Sequence, residues 1–341
     1  MDTASLLASQ IDELKSGKSL SGDQARAAVT SMMTGEGPKD LVAKWRLALR
    51  EKGETASEVA GAAEALRAAM IKLPSTRSTL IDTCGTGGDG SGAFNISTAA
   101  AIVAAAAGAS VAKHGNRSIS SKSGSADVLS ILGIKIDASA ETTARCVDEL
   151  GICFCFAPHF HPAMKHVGPI RKELGVPTVF NLLGPLANPA GVRRQVLGVG
   201  KEKFRPLIAE AMRLLGVERV AVVHGEDGID EVSLSAPTCV TLVEGDELTE
   251  LTWRPEDFGI SATDRASLLV EGPEQSAERI LGVLDGETGP CRDVVLLNAA
   301  AALWVAGKSA NLKACASWAG EAIDSGKATR LLQKWAALSN R

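Results

Sequence analysis

The sequence predicts an α/β protein in which a small N-terminal helical domain is hinged to a larger α/β domain with a mainly parallel central sheet. Three observations carry this. Apolar residues recur at helical spacing, with charges opposite, through the N-terminal region up to Pro74. From Leu80 onward strand-like and helix-like segments alternate. The Gly/Pro-rich run Gly184-Pro185-Leu186-Ala187-Asn188-Pro189 then interrupts the alternation, where a chain crossing back to the helical part would hinge. The expected division is residues 1–73 plus about 164–190 for the helical domain and hinge, and 74–163 with 191–341 for the larger domain.

Each element has a local reason. Leu7, Ile11 and Leu14 share one helix face, and Gly17 stops that helix. Gly35-Glu36-Gly37-Pro38 breaks a second helix and starts a third carrying Leu41, Trp45 and Leu49. Thr55 with Glu58 forms a capping-box signature for a fourth, running towards Leu73 and ended by Pro74. Thr79-Leu80-Ile81 reads as a short strand, and Thr98 to Ala107 as an alanine-rich helix closed by Gly108. Ala109 to Ala112 leads a second strand into Lys113, Ser125 to Leu132 is a helix ended by Gly133, and Ile134 to Ile136 is the next strand expected. Gln195 to Val199 and Val220 to His224 are strands flanking a helix from Lys203 to Leu215; Val294 to Val305 is a strongly apolar late helix.

Composition narrows the function classes. The 341-residue chain carries a formal net charge of −4, which argues against a general nucleic-acid surface. Its seven cysteines include no C-x-x-C pair, a pattern expected of reduced thiols in the cytoplasm. No basic-then-apolar leader is evident, and the apolar stretch from Thr98 to Ala112 is too short to span a bilayer, so a soluble cytoplasmic protein is expected.

The chemistry concentrates in a few runs. Asp82-Thr83-Cys84-Gly85-Thr86-Gly87-Gly88-Asp89-Gly90 lies between a strand and a helix, where glycines bring backbone N–H groups close to an anion. Gly85, Gly87 and Gly90 satisfy G-x-G-x-x-G, but no acid occurs between Asp89 and Asp127 to take a dinucleotide ribose. That interval holds Lys113, His114, Arg117 and Lys122 instead, which suits a ligand richer in phosphate than NAD. Asn95, Ser97 and Thr98 open the following helix, as caps or as ligand contacts, and Ser97 offers a hydroxyl to a phosphate-bound Mg²⁺. Lys113-His114-Gly115-Asn116-Arg117-Ser118-Ile119-Ser120-Ser121 leaves a strand end ahead of Gly124-Ser125; it reads as a solvated basic turn or, better, as an anion-closing loop. Asp230 and Glu231 are adjacent acids at another strand end. Alone they are ordinary solvated charge; opposite a polyphosphate site they suit Mg²⁺, with Asp227 as an alternative ligand. His159, His161 and His166 fit no zinc spacing. Arg171 and Lys172 are surface helix charges, or else a guanidinium clamp for a carboxylate.

These residues resemble the anthranilate phosphoribosyltransferase family of L-tryptophan biosynthesis, which shares its fold with pyrimidine nucleoside phosphorylases. The likeness is carried by the Gly85–Asp89 loop, Asn95–Thr98, Lys113–Ser121 with Ser125, His161-Pro162, the run Phe180 to Pro189, and Asp230-Glu231. It implies transfer of the phosphoribosyl group of 5-phosphoribosyl 1-pyrophosphate to the amine of anthranilate. By resemblance, Gly85, Gly88, Asp89, Asn95, Ile96, Ser97, Thr98, Lys113, His114, Gly115, Asn116, Arg117, Ser118, Ile119, Ser120, Ser121 and Ser125 surround phosphoribosyl pyrophosphate. Gly85, Asn116 and Arg171 would hold anthranilate; Ser97, Asp230 and Glu231 would bind Mg²⁺, two ions per subunit. The resemblance also implies a homodimer through the helical domain, with no nucleic-acid or membrane partner, and it assigns no general base. Ala93 stands where the family leads one to expect a hydroxyl residue, with Ser91 as a neighbouring substitute. Two rivals are a nucleoside phosphorylase, which has no use for the paired acids, and a non-catalytic nucleic-acid-binding relative, which would show an extended basic face.

Overall fold

The computed structural model describes residues 2–118 and 122–341, except the side chains of Arg171 and Lys172. It begins with four helices, α1 (Thr3–Lys15), α2 (Gly22–Met33), α3 (Lys39–Lys52) and α4 (Ala56–Ala69). Asp2, Ser21 and Thr55 cap α1, α2 and α4 by accepting backbone N–H groups, while α3 starts behind Pro38 with no side-chain cap. The Thr55–Glu58 capping box forms, and Glu58 extends it. Fully buried, Glu58 also accepts the Leu20 N–H at 2.8 Å and pairs with Lys52 at 3.0 Å, tying the start of α4 to α3 and to the lead into α2. Helix α4 stops at Ala69, short of Leu73. Beyond it the Ile71 and Leu73 N–H groups bond to Phe160 O and Pro189 O, partners that outcompete a further helical turn.

Among the described residues seven strands form one sheet: β1 (Ile81–Asp82), β2 (Val111–Gly115), β3 (Ile152–Phe156), β4 (Arg194–Gly198), β5 (Arg219–Gly225), β6 (Thr238–Glu244) and β7 (Glu247–Trp253). Their order is β3-β2-β1-β4-β5-β6-β7, parallel from β3 to β5 and closed at one side by the antiparallel hairpin β6–β7. The strand expected at Ile134–Ile136 is absent. Both isoleucines are buried in a turn, and the Lys135 N–H bonds the Ser339 hydroxyl rather than a neighbouring strand. The strand beside β2 is instead β3, whose Ile-Cys-Phe-Cys-Phe run lacks alternation because nearly all of it is buried, as in a parallel sheet covered on both faces.

Between the strands run α5 (Ile96–Ala106), α6 (Ser125–Ile131), α7 (Ala140–Leu150), α8 (Ala157–Phe160), α9 (Gly168–Leu174) and α10 (Arg205–Leu214). After the hairpin come α11 (Pro273–Leu284), α12 (Pro290–Val305), α13 (Leu312–Asp324) and α14 (Lys327–Ser339). The two faces of β4 and β5 divide the interior by simple alternation. Val196, Ala221 and Val223 join the core built with α5 and α12. Leu197, Val199, Val220 and Val222 join a second core, which continues through α10 into α1–α4 and residues 167–187. Arg46 of α3, itself buried, donates to Val167 O and to the Thr178 hydroxyl and lies 4.7 Å from the centre of the Phe180 ring. No described helix is long and apolar enough to cross a membrane.

Helices α2 and α4 cross so closely that a Cβ on Gly61 would stand 2.0 Å from Gly22 O. Gly61→Ala gains about 1 kcal/mol of helix propensity, yet it forces two backbones apart. The expected net effect is a loss of about 1–3 kcal/mol in urea unfolding; a variant as stable as the parent would show that these helices slide without cost.

Candidate active site

The strand order reverses between β1 and β4, and the carboxyl ends of strands flanking such a reversal form a crevice. Into it runs the glycine loop that leaves β1. Gly87, Gly88, Gly90 and Gly92 all have φ between 65° and 78°, a left-handed conformation costly to any residue with a Cβ. The loop is pinned from β4, with Thr86 N–H donating to Gly198 O at 2.8 Å and Gly200 N–H to the Thr86 hydroxyl at 3.1 Å. Ser91 turns inward, its hydroxyl accepting the Ala93 N–H at 3.3 Å, and Ala93 itself forms an antiparallel bridge with Leu269.

Opposite the loop stand Asp230 and Glu231. Gly87 N–H donates to Asp230 Oδ2 at 3.0 Å, Asp230 N–H to Asp89 Oδ2 at 3.4 Å, and Ser97 N–H, at the start of α5, to Glu231 Oε1 at 3.1 Å. Desolvation pushes both carboxyls above the usual range; Asp89 raises Asp230 further, partly offset by the Gly87 N–H, and Asp230 raises Glu231, partly offset by Lys113. Asp227, the alternative ligand, is turned away. Its Oδ2 accepts the hydroxyls of Ser233 at 3.0 Å and Ser235 at 2.6 Å, so it braces the loop instead. Among the described residues no three His, Cys, Asp or Glu side chains make an all-protein metal cage. The donors present are carboxylates and the Ser97 hydroxyl, which suits a cation that keeps waters and substrate oxygens.

Lys113 and His114 lie within β2, not beyond it, because that strand runs on to Gly115. The Lys113 ammonium is buried and reaches the hydroxyls of Thr83 and Ser97, both at 3.2 Å. Asp82, at the end of β1, organises the surroundings. It is fully buried and accepts the Thr83 N–H at 2.7 Å, the His114 N–H at 3.1 Å and Asn188 Nδ2 at 2.7 Å. Asn188 also donates to Ala112 O at 2.7 Å, so one amide spans β1, β2 and the 184–190 segment. Burial, partly countered by Lys113, lifts the Asp82 carboxyl to about 6. The His114 ring packs 5.1 Å from His161, with Nδ1 2.9 Å from Gly184 O and Nε2 buried without a partner among the described residues. Burial holds both imidazoles neutral, His114 at about 3 and His161 at about 4.

The remaining predicted residues fall in three groups. Asn95 makes no side-chain cap; its Oδ1 accepts the Ser123 and Ser276 hydroxyls, linking the start of α5 to the second loop and to α11. Ile96 and Thr98 point into the core. In the second loop Asn116 O accepts the Ser125 hydroxyl at 3.4 Å, and Asp127 of α6 takes Arg117 at 2.8 Å and the Ser118 N–H at 3.0 Å. Ile119, Ser120 and Ser121 lie outside the described residues, as does the Arg171 side chain, whose backbone is in α9. Asp82, Asn188 and Asp127 carry no motif of their own: Asp82 and Asn188 meet across 106 positions, and Asp127 is claimed by the Arg117 guanidinium and the Ser118 N–H.

This architecture has known counterparts. The glycosyl transferase family's helical bundle domain matches residues 9–70 and its a/b domain residues 77–329. An anthranilate phosphoribosyltransferase of Rhodopseudomonas palustris is 46% identical over 330 residues, 97% of each chain. The crystal structure of the Thermus thermophilus anthranilate phosphoribosyltransferase superposes with a TM-score of 0.92 at 42% identity, covering 97% of this chain and 99% of that one. The Saccharomyces cerevisiae enzyme, solved in complex with PRPP and Mg, gives 0.90 at 30% identity over 98% of both chains.

The neutral histidines have a consequence for stability. Their folded-state values lie below the ordinary value of about 6.5, so the unfolded chain takes up protons first as the pH falls. The stability they allow is complete above pH ~6.5 and is lost towards pH ~4, at about 1.4 kcal/mol per pH unit for each buried imidazole. Asp82, raised rather than lowered, works in the opposite direction between pH ~4 and ~6, so a difference measurement is needed. Between pH 6 and 4, unfolding free energies for His114→Asn should fall less steeply than for the parent, by about that slope; parallel curves would mean that His114 is not held neutral.

Proposed function

The chain belongs to the anthranilate phosphoribosyltransferase family, and on that premise we propose how its residues carry the family's reaction. The phosphoribosyl group of 5-phosphoribosyl 1-pyrophosphate passes to the amine of anthranilate, giving N-(5-phosphoribosyl)anthranilate and pyrophosphate in L-tryptophan biosynthesis. The observation that carries the residue assignment is the meeting of a left-handed glycine loop with two half-buried carboxylates, raised by desolvation and by each other, at the strand reversal.

In this reading the glycine loop from Gly85 to Asp89, the start of α5 from Asn95 to Thr98, and the second loop from Lys113 to Ser121 with Ser125 enclose phosphoribosyl pyrophosphate. The C1–O bond to pyrophosphate breaks as a bond from the amine nitrogen to C1 forms. Negative charge grows on the leaving group, and Lys113 with the loop N–H groups faces it. Asp230, Glu231 and the Ser97 hydroxyl hold Mg²⁺, two ions per subunit, and their unbalanced negative charge supports that role. Bound Mg²⁺ supplies charge neutralisation to the pyrophosphate. Gly85, Asn116 and Arg171 hold anthranilate, with Arg171 pairing its carboxylate. An aromatic amine is already neutral at pH 7, so positioning rather than a general base is the main device. We further read residues 1–73 with about 164–190 as a domain hinged on 74–163 with 191–341, and the molecule as a cytoplasmic homodimer joined through the helical domain.

Loss of anthranilate fluorescence in the presence of phosphoribosyl pyrophosphate tests the reaction, and EDTA should abolish it. Asp230→Asn with Glu231→Gln should cost at least about 100-fold in turnover. Parent-like turnover with unchanged Mg²⁺ dependence would overturn the metal assignment. Gly198→Ala examines the scaffold, because its Cβ would lie 1.6 Å from Asp230 O. A displacement of this kind is expected to lower turnover by about 100-fold in a folded protein, and full activity would show that the Asp230 loop need not stay where β4 puts it.

A further inference from the structure

Helix α12 is apolar along its buried length, and Asn298 is the one polar side chain among its described buried residues. A buried amide destabilises unless it is hydrogen-bonded. Here every partner is a backbone atom. Nδ2 donates to Val294 O, one turn back, at 2.9 Å and to Val232 O at 3.0 Å, while Oδ1 accepts the Val232 N–H at 2.9 Å. The amide thus serves both backbone groups of Val232 as a neighbouring strand would. It does so where the chain has left β5 and has not yet entered β6.

Val232 directly follows Glu231. On the near side, the Asp230 N–H is held by Asp89 and the Gly225 N–H closes on Ile229 O at 2.9 Å. On the far side Asn298 holds both backbone groups of Val232, and the Ser233 N–H that follows donates to the Thr238 hydroxyl at 2.9 Å. Helix α12 also packs along α5, whose first turn supplies the Ser97 N–H that binds the Glu231 carboxylate. One helix therefore underlies both the backbone and the carboxylate of Glu231.

We infer that Asn298 is a positioning residue that sets the divalent-cation affinity of the Asp230–Glu231 pair by fixing the Val232 backbone. This rests on the reading of that pair as cation ligands. A leucine of similar size would fill the same space but leave the Val232 N–H and C=O buried and unpaired, so the adjoining carboxylate would lose its fixed direction.

The test uses Mn²⁺ as probe, with phosphoribosyl pyrophosphate present and anthranilate absent, so that nothing turns over; electron paramagnetic resonance reads the free ion. Asn298→Leu in the full chain should bind Mn²⁺ about 10–100-fold more weakly, and half-activation of turnover by Mg²⁺ should move up by the same factor. Asn298→Ser, which keeps a hydroxyl, should weaken binding less and serves if the leucine variant does not fold. Leu303→Ala, elsewhere on α12, controls for simple loosening of the helix: its melting temperature should drop with Mn²⁺ affinity unchanged. If Glu231→Gln weakens Mn²⁺ binding while both Asn298 variants bind as the parent does, Asn298 only fills the core and the inference fails. If Glu231→Gln itself binds as the parent does, the cation reading fails instead.

Discussion

Three backbone segments meet at Gly198 with no room for a side-chain carbon between them, and the rest of the site depends on that contact. The glycine loop lays its Thr86 N–H on Gly198 O, Gly85 approaches the same carbonyl, and the Asp230 backbone closes from the other side. The arrangement is made of main chain. Its geometry therefore follows from the register of β4 between β1 and β5, which side-chain rotamers cannot alter. The phosphate loop and the carboxylates face each other because the sheet reverses its order at that point.

The site is also where negative charge is kept at a cost. Asp89, Asp230 and Glu231 repel one another in a poorly solvated crevice, and their compensation is partial: Lys113, the Gly87 and Ser97 N–H groups, and the start of α5. Like charges partly withdrawn from water in this way subtract from stability. What holds them is the apolar layering around them. The alternating faces of β4 and β5 engage one core on α5 and α12 and another on α10 and the N-terminal helices. A large interior carries a small patch of polar chemistry.

How much of this was legible in the chain depended on the range of the cause. Thr55 and Glu58 signal a helix start within one turn, and the structure forms that cap. The glycine run, Asn95–Thr98 and Asp230-Glu231 were visible as local clusters, and the fold brings them to one crevice. Strand β3 was missed because a strand buried almost throughout shows no alternation, and Ile134–Ile136 mimicked one while packing as a turn. Asp227 looked like a ligand because nothing in its neighbourhood announces that Ser233 and Ser235 would claim it. Asn298 and Asn188 are single amides whose partners lie 66 and 106 positions away, a separation at which periodicity is silent.

The Asp82–Asn188 bond also orders events in time. Strand β1 is central in the sheet yet first in the chain, and its second neighbour, β4, begins only at Arg194. On a ribosome adding ~5–20 residues per second, β1 and the loop behind it wait roughly 6–20 s for that neighbour. During this interval one edge of β1 stands open and the Asp82 carboxylate lacks the amide that later seals it. The nascent chain thus presents an unfinished sheet edge for seconds, the situation in which a holding chaperone or a paused ribosome has most to offer.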